Sequence, residues 1–205
     1  MRYAPDHSAR TRARLVEAAA AEIRAKGAPG IALAPLMRGL GLTHGGFYAH
    51  FPSRDALVAA AIEAMFAESE GRFPADMPLG HVVRTYLSRS HRDAPASGCP
   101  VAALMSEAHR LPALARAAYD RGVARMVESF ARRLAPDGRG RDWGGPGARD
   151  AAFALVSGLA GGLALARAAG PDLSDAILAA TRADLLARFA PTSPAFSAQP
   201  SGDAS

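Results

Sequence analysis

Apolar residues recur at helical spacing along most of the chain, and nowhere alternate as they would in a half-buried strand. Leu15, Ala19 and Ile23 fall at i, i+4 and i+8 with Val16 beside them, and Gly27 with Pro29-Gly30 closes this first helix. A short segment over 34–40 follows, with Pro35 suited to a first helical turn. Gly41 breaks it, and Thr43 is placed to cap the next short helix. In "FPSRDAL" Ser53 caps a fourth helix reaching about Glu70, with Asp55 in the first turn, where the helix dipole favours a negative charge. The pattern resumes over 79–89, 100–109 and 111–134, and again over 148–168 and 174–190. "APDGRGRDWGGPG", residues 135–147, carries five glycines and two prolines and reads as a loop. The tail over 191–205, rich in Pro, Ser and Ala, is expected to be disordered. The expectation is an all-α fold of about nine helices without internal repeats.

Three short helices within the first 60 residues, two of them joined by a glycine-bearing turn, form the pattern of a helix-turn-helix. Leu33, Leu36, Met37 and Leu40 line the core face of the supporting helix, and Leu42 plugs the corner after Gly41. The recognition helix then begins at Thr43, inside "GLTHGGFYAHF", residues 41–51. Gly45 and Gly46 leave its first turn bare, so its backbone is able to approach phosphates and base edges closely. They lower helix propensity by roughly 1 kcal/mol each, which close approach to DNA would offset. His44, Tyr48 and His50 project polar groups, while Phe47 and Phe51 anchor the helix in the core.

Charge sharpens this picture. Residues 1–60 hold 8 Lys/Arg against 4 Asp/Glu, whereas the remaining 145 residues hold 16 against 15. Most of the net charge of +5 is therefore N-terminal, which suits a polyanionic partner. Arg10, Arg12 and Arg14 belong to this excess, either as phosphate contacts or as a solvated surface.

"GLTHGGFYAHFPSRDAL" resembles the signature of TetR/AcrR-type transcriptional regulators, and "TRARLVEAAAAEIRAKG" resembles that family's first helix with its closing glycine. The likeness is strong over residues 10–57, and length and helix count fit to about residue 190. It implies a DNA-binding domain over 1–57 with a basic arm over 1–10, and a helical ligand-binding and dimerisation domain over 58–190. By position, Thr43, Tyr48, His50 and Arg54 match residues that touch the phosphate backbone, and His44, Gly45 and Gly46 match positions facing base edges. Ala32 departs from the family, standing where a capping Thr or Ser is common, as does Glu22, where an apolar residue is usual. Implied partners are a palindromic double-stranded operator, a second copy of the chain and a small-molecule effector. The implied role is a repressor released by that effector.

Residues 151–165, "AAFALVSGLAGGLAL", are apolar nearly all round, so that helix must be covered on several sides. The dimer interface is expected there and on the last helix, through Phe153, Gly158, Gly161, Gly162, Leu165, Ile177, Leu178, Leu185 and Phe189. Tyr86, Met105, His109, Met126 and Phe130 lie on the middle helices and are candidates to line an effector cavity. Cys99 joins them with two readings, a thiol sensor of electrophiles or oxidants at a helix start, or a small buried hydrophobe.

A lone cysteine excludes an internal disulfide framework and suits a reducing compartment. The first 25 residues lack a signal-peptide core, and the longest uncharged stretch, 16 residues over 151–166, is shorter than the roughly 20 apolar residues of a spanning helix. A soluble, cytoplasmic protein without membrane contact is expected. Metal-binding, P-loop and catalytic spacings are missing from the sequence, so neither an enzyme nor a cofactor or metal site is expected. A helical ligand-binding protein without DNA binding is the remaining alternative.

Overall fold

The computed structural model describes residues 5–134 and 146–190. The tail over 191–205 and most of the expected loop at 135–147 lie outside the described residues. Ten α-helices and no strand occur among those described: α1 Pro5–Lys26, α2 Leu33–Gly39, α3 His44–Phe47, α4 Arg54–Arg72, α5 Leu79–Tyr86, α6 Arg89–Asp93, α7 Pro100–Leu104, α8 Ala113–Leu134, α9 Pro146–Ala168 and α10 Pro171–Phe189. Short 3-10 turns occur at Ala28–Gly30, Pro95–Ser97 and Ala108–Arg110. The all-α expectation therefore holds.

Several boundaries differ from the sequence pattern for local reasons. Of the expected basic arm over 1–10, residues 1–4 lie outside the described residues, and the described part with Arg10 belongs to α1. The segment over 79–89 divides because Leu87 leaves helical geometry and the Ser88 side chain caps α6, accepting from the His91 N–H. α7 stops after five residues and gives way to a 3-10 turn. α10 starts at Pro171, earlier than the pattern implied, because proline fits a first helical turn.

α4 packs on α8, α8 on α9 and α9 on α10, while α1 lies against α4. Close approach between α4 and α8 depends on Gly122, where an added Cβ would run into the buried Phe66 ring. On α9 a Cβ at Gly158 would come within 2.9 Å of Leu185, and one at Gly162 within 2.7 Å of Thr181. Segment 147–168 is apolar and long enough to cross a membrane, but half of it is buried in the fold. Arg24, 9% exposed, fastens α1 to α4: it pairs with Glu68 at 2.5 Å and donates to the Met65 carbonyl at 3.5 Å.

Candidate nucleic-acid interface

The helix-turn-helix assembles from local signals. The Ile23 carbonyl accepts from the Gly27 N–H, and Gly27 turns the chain out of α1 with φ +79°. α2 buries Leu36 and Met37, and Leu33 and Leu40 pack partly against the same core. Gly41, at φ +69°, makes the reversal that a residue with a Cβ adopts only under strain. Leu42 packs into the corner, and its N–H bonds back to the Met37 carbonyl at 2.9 Å. The Thr43 hydroxyl then caps α3 by accepting from the Gly46 N–H at 3.2 Å. Ser53 does the same for α4, accepting from Ala56 at 3.1 Å, with Asp55 in the first turn.

α3 is only four residues long and is held from beneath by Phe47 and Phe51, 0% and 2% exposed, whose rings stack at 6.0 Å. Among the described side chains the polar ones lie on the outer side. Thr43 and Gly45 are exposed, Tyr48 is 59% exposed, and His50 is half-buried. Nothing lies within 4 Å of the Cβ position of Gly45, so that face is open to a large partner. His44 opens the helix, and its side chain lies outside the described residues.

Two flanking arginines help to hold this platform. The Arg12 guanidinium lies 4.5 Å from the centre of the Phe51 ring, and Arg14 donates to the Leu40 carbonyl at 3.4 Å. Sequence reasoning offered these two only as phosphate contacts or solvated charge and missed the cation–π pair, which brings Arg12 of α1 onto Phe51 in the turn after α3. Arg54 is placed differently from the rest of the motif. It is half-buried and donates to the carbonyls of Ala28 at 2.7 Å, Ile31 at 3.3 Å and Pro29 at 3.5 Å. Its guanidinium thus fixes the loop between α1 and α2.

The candidate effector residues do not converge. Met126 and Phe130 are buried and line a cavity of about 30 Å³ with Phe66 and Phe73, a space on the scale of one or two waters. Met105 is 44% exposed and lines a larger groove of about 450 Å³ between α7, α8 and α9, with Val101, Val123, Arg149, Phe153 and Ser157. His109 is exposed on a 3-10 turn. Tyr86 is fully buried, and its hydroxyl makes no hydrogen bond of good geometry. Burial above all, and the Cys99 thiol next, push its pKa well up. Cys99 is 2% exposed, so the core must open before a reagent reaches it.

The expected dimer residues divide between two faces of α9 and α10. Gly158, Gly162, Leu178, Leu185 and Phe189 belong to packing within the chain, with the last three 3%, 2% and 7% exposed. Ile177 is half-buried against the same core. Phe153 at 47% and Leu165 at 58% are exposed, and the Cβ position of Gly161 meets nothing within 4 Å. Among the described residues no group of three or more His, Cys, Asp or Glu is placed to hold a metal ion.

Residues 15–61 match the family model of bacterial regulatory proteins, tetR family. Solved structures are similar across most of the chain. A TetR transcriptional regulator from Chloroflexus aurantiacus is 22% identical with a TM-score of 0.73, over 89% of this chain and 95% of that one. A TetR-family regulator from Agrobacterium tumefaciens is 20% identical with a TM-score of 0.72, over 89% and 98%. The reduced form of Escherichia coli NemR is 20% identical with a TM-score of 0.70, over 85% and 94%. None of the curated proteins matches in sequence. The platform around α3 thus has the geometry of a helix-turn-helix, within the segment that the family model matches. Its N-terminal segment over 15–61 matches the tetR-family model, and the chain as a whole shares the fold of these solved structures.

Proposed function

We propose that this chain is a homodimeric repressor that binds a palindromic operator and releases it when a small molecule occupies the groove between α7, α8 and α9. The single observation that carries DNA binding is the outward ridge over 43–50, with Tyr48 exposed beside the open Gly45 and the aromatic anchors turned inward. Thr43, His44, Gly45, Gly46, Tyr48 and His50 are its DNA contacts, and Arg54 supports them through the α1–α2 loop. The division into a DNA-binding unit over 1–57 and an effector and dimer unit over 58–190 belongs to the same proposal, as do cytoplasmic location and the lack of enzymatic activity.

Two further observations support the rest. A groove of about 450 Å³ lies within the size range of small-molecule sites, and its lining is mostly apolar with Tyr119, Asp120, Arg149 and Ser157 as polar groups. The exposed Phe153, Leu165 and open Gly161 give α9 an apolar face that a second copy would cover. A two-fold dimer sets two α3 helices on one side of a duplex, which requires a two-fold operator.

The test is fluorescence anisotropy on the DNA upstream of the protein's own coding region, against a scrambled duplex, across a salt series. Tight binding to the native duplex alone, weakening steeply with salt, is expected. Tyr48→Ala should weaken that binding while leaving the helical circular dichroism intact. Unchanged binding by Tyr48→Ala and by His44→Ala would remove the ridge as the DNA surface.

A further inference from the structure

Glu107 reaches across the fold to the segment that leads into the helix-turn-helix. Its Oε1 accepts from the Ala28 N–H at 2.7 Å, a bond between residues 79 apart in sequence. The carboxylate sits on the bare face of Gly27, where a Cβ would lie 2.6 Å from Oε2 and 2.9 Å from Oε1. Gly27 therefore serves twice, by its left-handed backbone at φ +79° and by leaving the space the carboxylate fills, since a Cβ there would push the carboxylate aside. Glu63, Glu68 and Glu70 each pair with arginines on neighbouring helices or turns. Glu107 takes no arginine among the described residues and spends its charge on a main-chain N–H.

The other side of the same segment is held by Arg54, which donates to the Ala28, Pro29 and Ile31 carbonyls. Residues 28–31 are thus clamped between an anion from one unit and a cation at the start of α4. Two residues beyond them α2 begins, and α2 carries α3. At its own end Glu107 hangs from α7: its N–H bonds to the Leu104 carbonyl at 3.0 Å, and Met105 bonds back to Val101 at 2.9 Å. Val101 and Met105 both line the groove between α7, α8 and α9.

We propose that Glu107 is the positioning residue that ties the angle of the DNA-binding helices to the state of this groove. With α7 in place the carboxylate fixes segment 28–31. A ligand that displaces Val101 and Met105 withdraws Glu107 from Ala28, and α2 and α3 swing free. The proposal rests on the groove being the effector site, and the measurement separates the two.

Spin labels at Ala49→Cys and Ala117→Cys, both exposed positions, report the distance from the end of α3 to α8 in full-length protein carrying Cys99→Ser. An excess of unlabelled chain confines the signal to one protomer. Glu107→Ala should shift or broaden the distance distribution. It should also weaken binding, by roughly tenfold or more, to a duplex the wild type selects from a random pool, as loss of a charged hydrogen bond predicts. Glu107→Gln keeps an oxygen acceptor and should restore both readouts. An unchanged distribution in Glu107→Ala overturns the proposal, whatever happens to DNA affinity. Should Glu107→Ala fail to fold, amide exchange of Ala28 in the wild type decides: protection is expected, and exchange at the rate of an exposed loop overturns it. Ala124→Trp fills the groove from α8 and should move the distribution as Glu107→Ala does. A response to Glu107→Ala with none to Ala124→Trp disconnects the groove from Glu107 and sinks the groove as the effector site.

Discussion

Acid should loosen this fold first at His91. The imidazole is buried, with Nδ1 2.7 Å from the Tyr86 carbonyl oxygen and Nε2 3.0 Å from the Cys99 main-chain nitrogen. One protonation state satisfies both: Nδ1–H donates to Tyr86, and the Nε2 lone pair accepts from Cys99. A second proton would place Nε2–H against the Cys99 N–H, donor facing donor. Burial lowers the pKa from 6.5 to about 4; the Arg167 and Arg72 charges add to this, while the Tyr86 carbonyl opposes it. The folded-state value lies below the unfolded one, so between pH 6.5 and 4 the unfolded chain binds more protons. Stability contributed by the neutral imidazole is complete above pH 6.5 and is lost as pH falls through 4.

A drop of this size corresponds to about 3 kcal/mol. That is a large share of the roughly 5–15 kcal/mol that holds a typical domain folded. Guanidinium unfolding of the wild type and of His91→Gln at pH 7 and pH 4.5 measures it. His91→Gln cannot titrate at this position, so its loss reports all the other titrating groups, and the wild type should lose about 2–3 kcal/mol more. Parallel losses in the two proteins, or an imidazole that titrates near its ordinary value by NMR, would refute the assignment. Because the Cys99 N–H opens α7, the same acid step should raise amide exchange there before it does in α8.

Arg54→Ala should weaken operator binding without changing the slope of affinity against salt, because its guanidinium is engaged with the carbonyls of residues 28–31. A slope smaller by about one would instead make it a phosphate contact. Gly161→Arg, on the open face of α9, should leave helicity intact and convert a dimer into a monomer by analytical ultracentrifugation. A dimer that survives it moves the interface off α9.

What could be read from the sequence was what local chemistry decides. Gly41, the Thr43 and Ser53 caps, and the inward Phe47 and Phe51 follow from backbone preference and from spacing on one short helix, and each is found in place. What could not be read depends on partners remote in sequence. Read from the sequence, the small residues Gly158, Gly161 and Gly162 of α9 all permit close approach, but in the fold Gly158 and Gly162, one turn apart, meet Leu185 and Thr181, whereas Gly161 points about 100° away from Gly162 into open space. Composition cannot tell these cases apart. Arg54 matched a phosphate-contacting position in the motif, yet the carbonyls that occupy it belong to a loop more than twenty residues upstream. The break at Leu87 needs the Ser88 cap and the His91 bond back to Tyr86, neither of which periodicity contains.

The link between segment 28–31 and the helices behind it is partly polar, and that bears on how the proposed switch would work. Apolar packing between α1 and α4 is continuous with the main core, so the N-terminal helices do not detach cleanly. Segment 28–31 is different, because hydrogen bonds from Glu107 and Arg54 hold it on either side. A hydrogen bond to a charged group is worth about 1.5–3 kcal/mol net, close to the roughly 1–3 kcal/mol of a typical allosteric coupling. A ligand of micromolar affinity binds with about 8 kcal/mol, enough to break one such bond and retain most of its affinity. Breaking the apolar α1–α4 contact would require much more. The same linkage runs backwards: DNA that favours the clamped segment must weaken the ligand by the factor by which the ligand weakens DNA. A ligand that bound the groove equally well with and without operator would therefore bind without acting on this clamp.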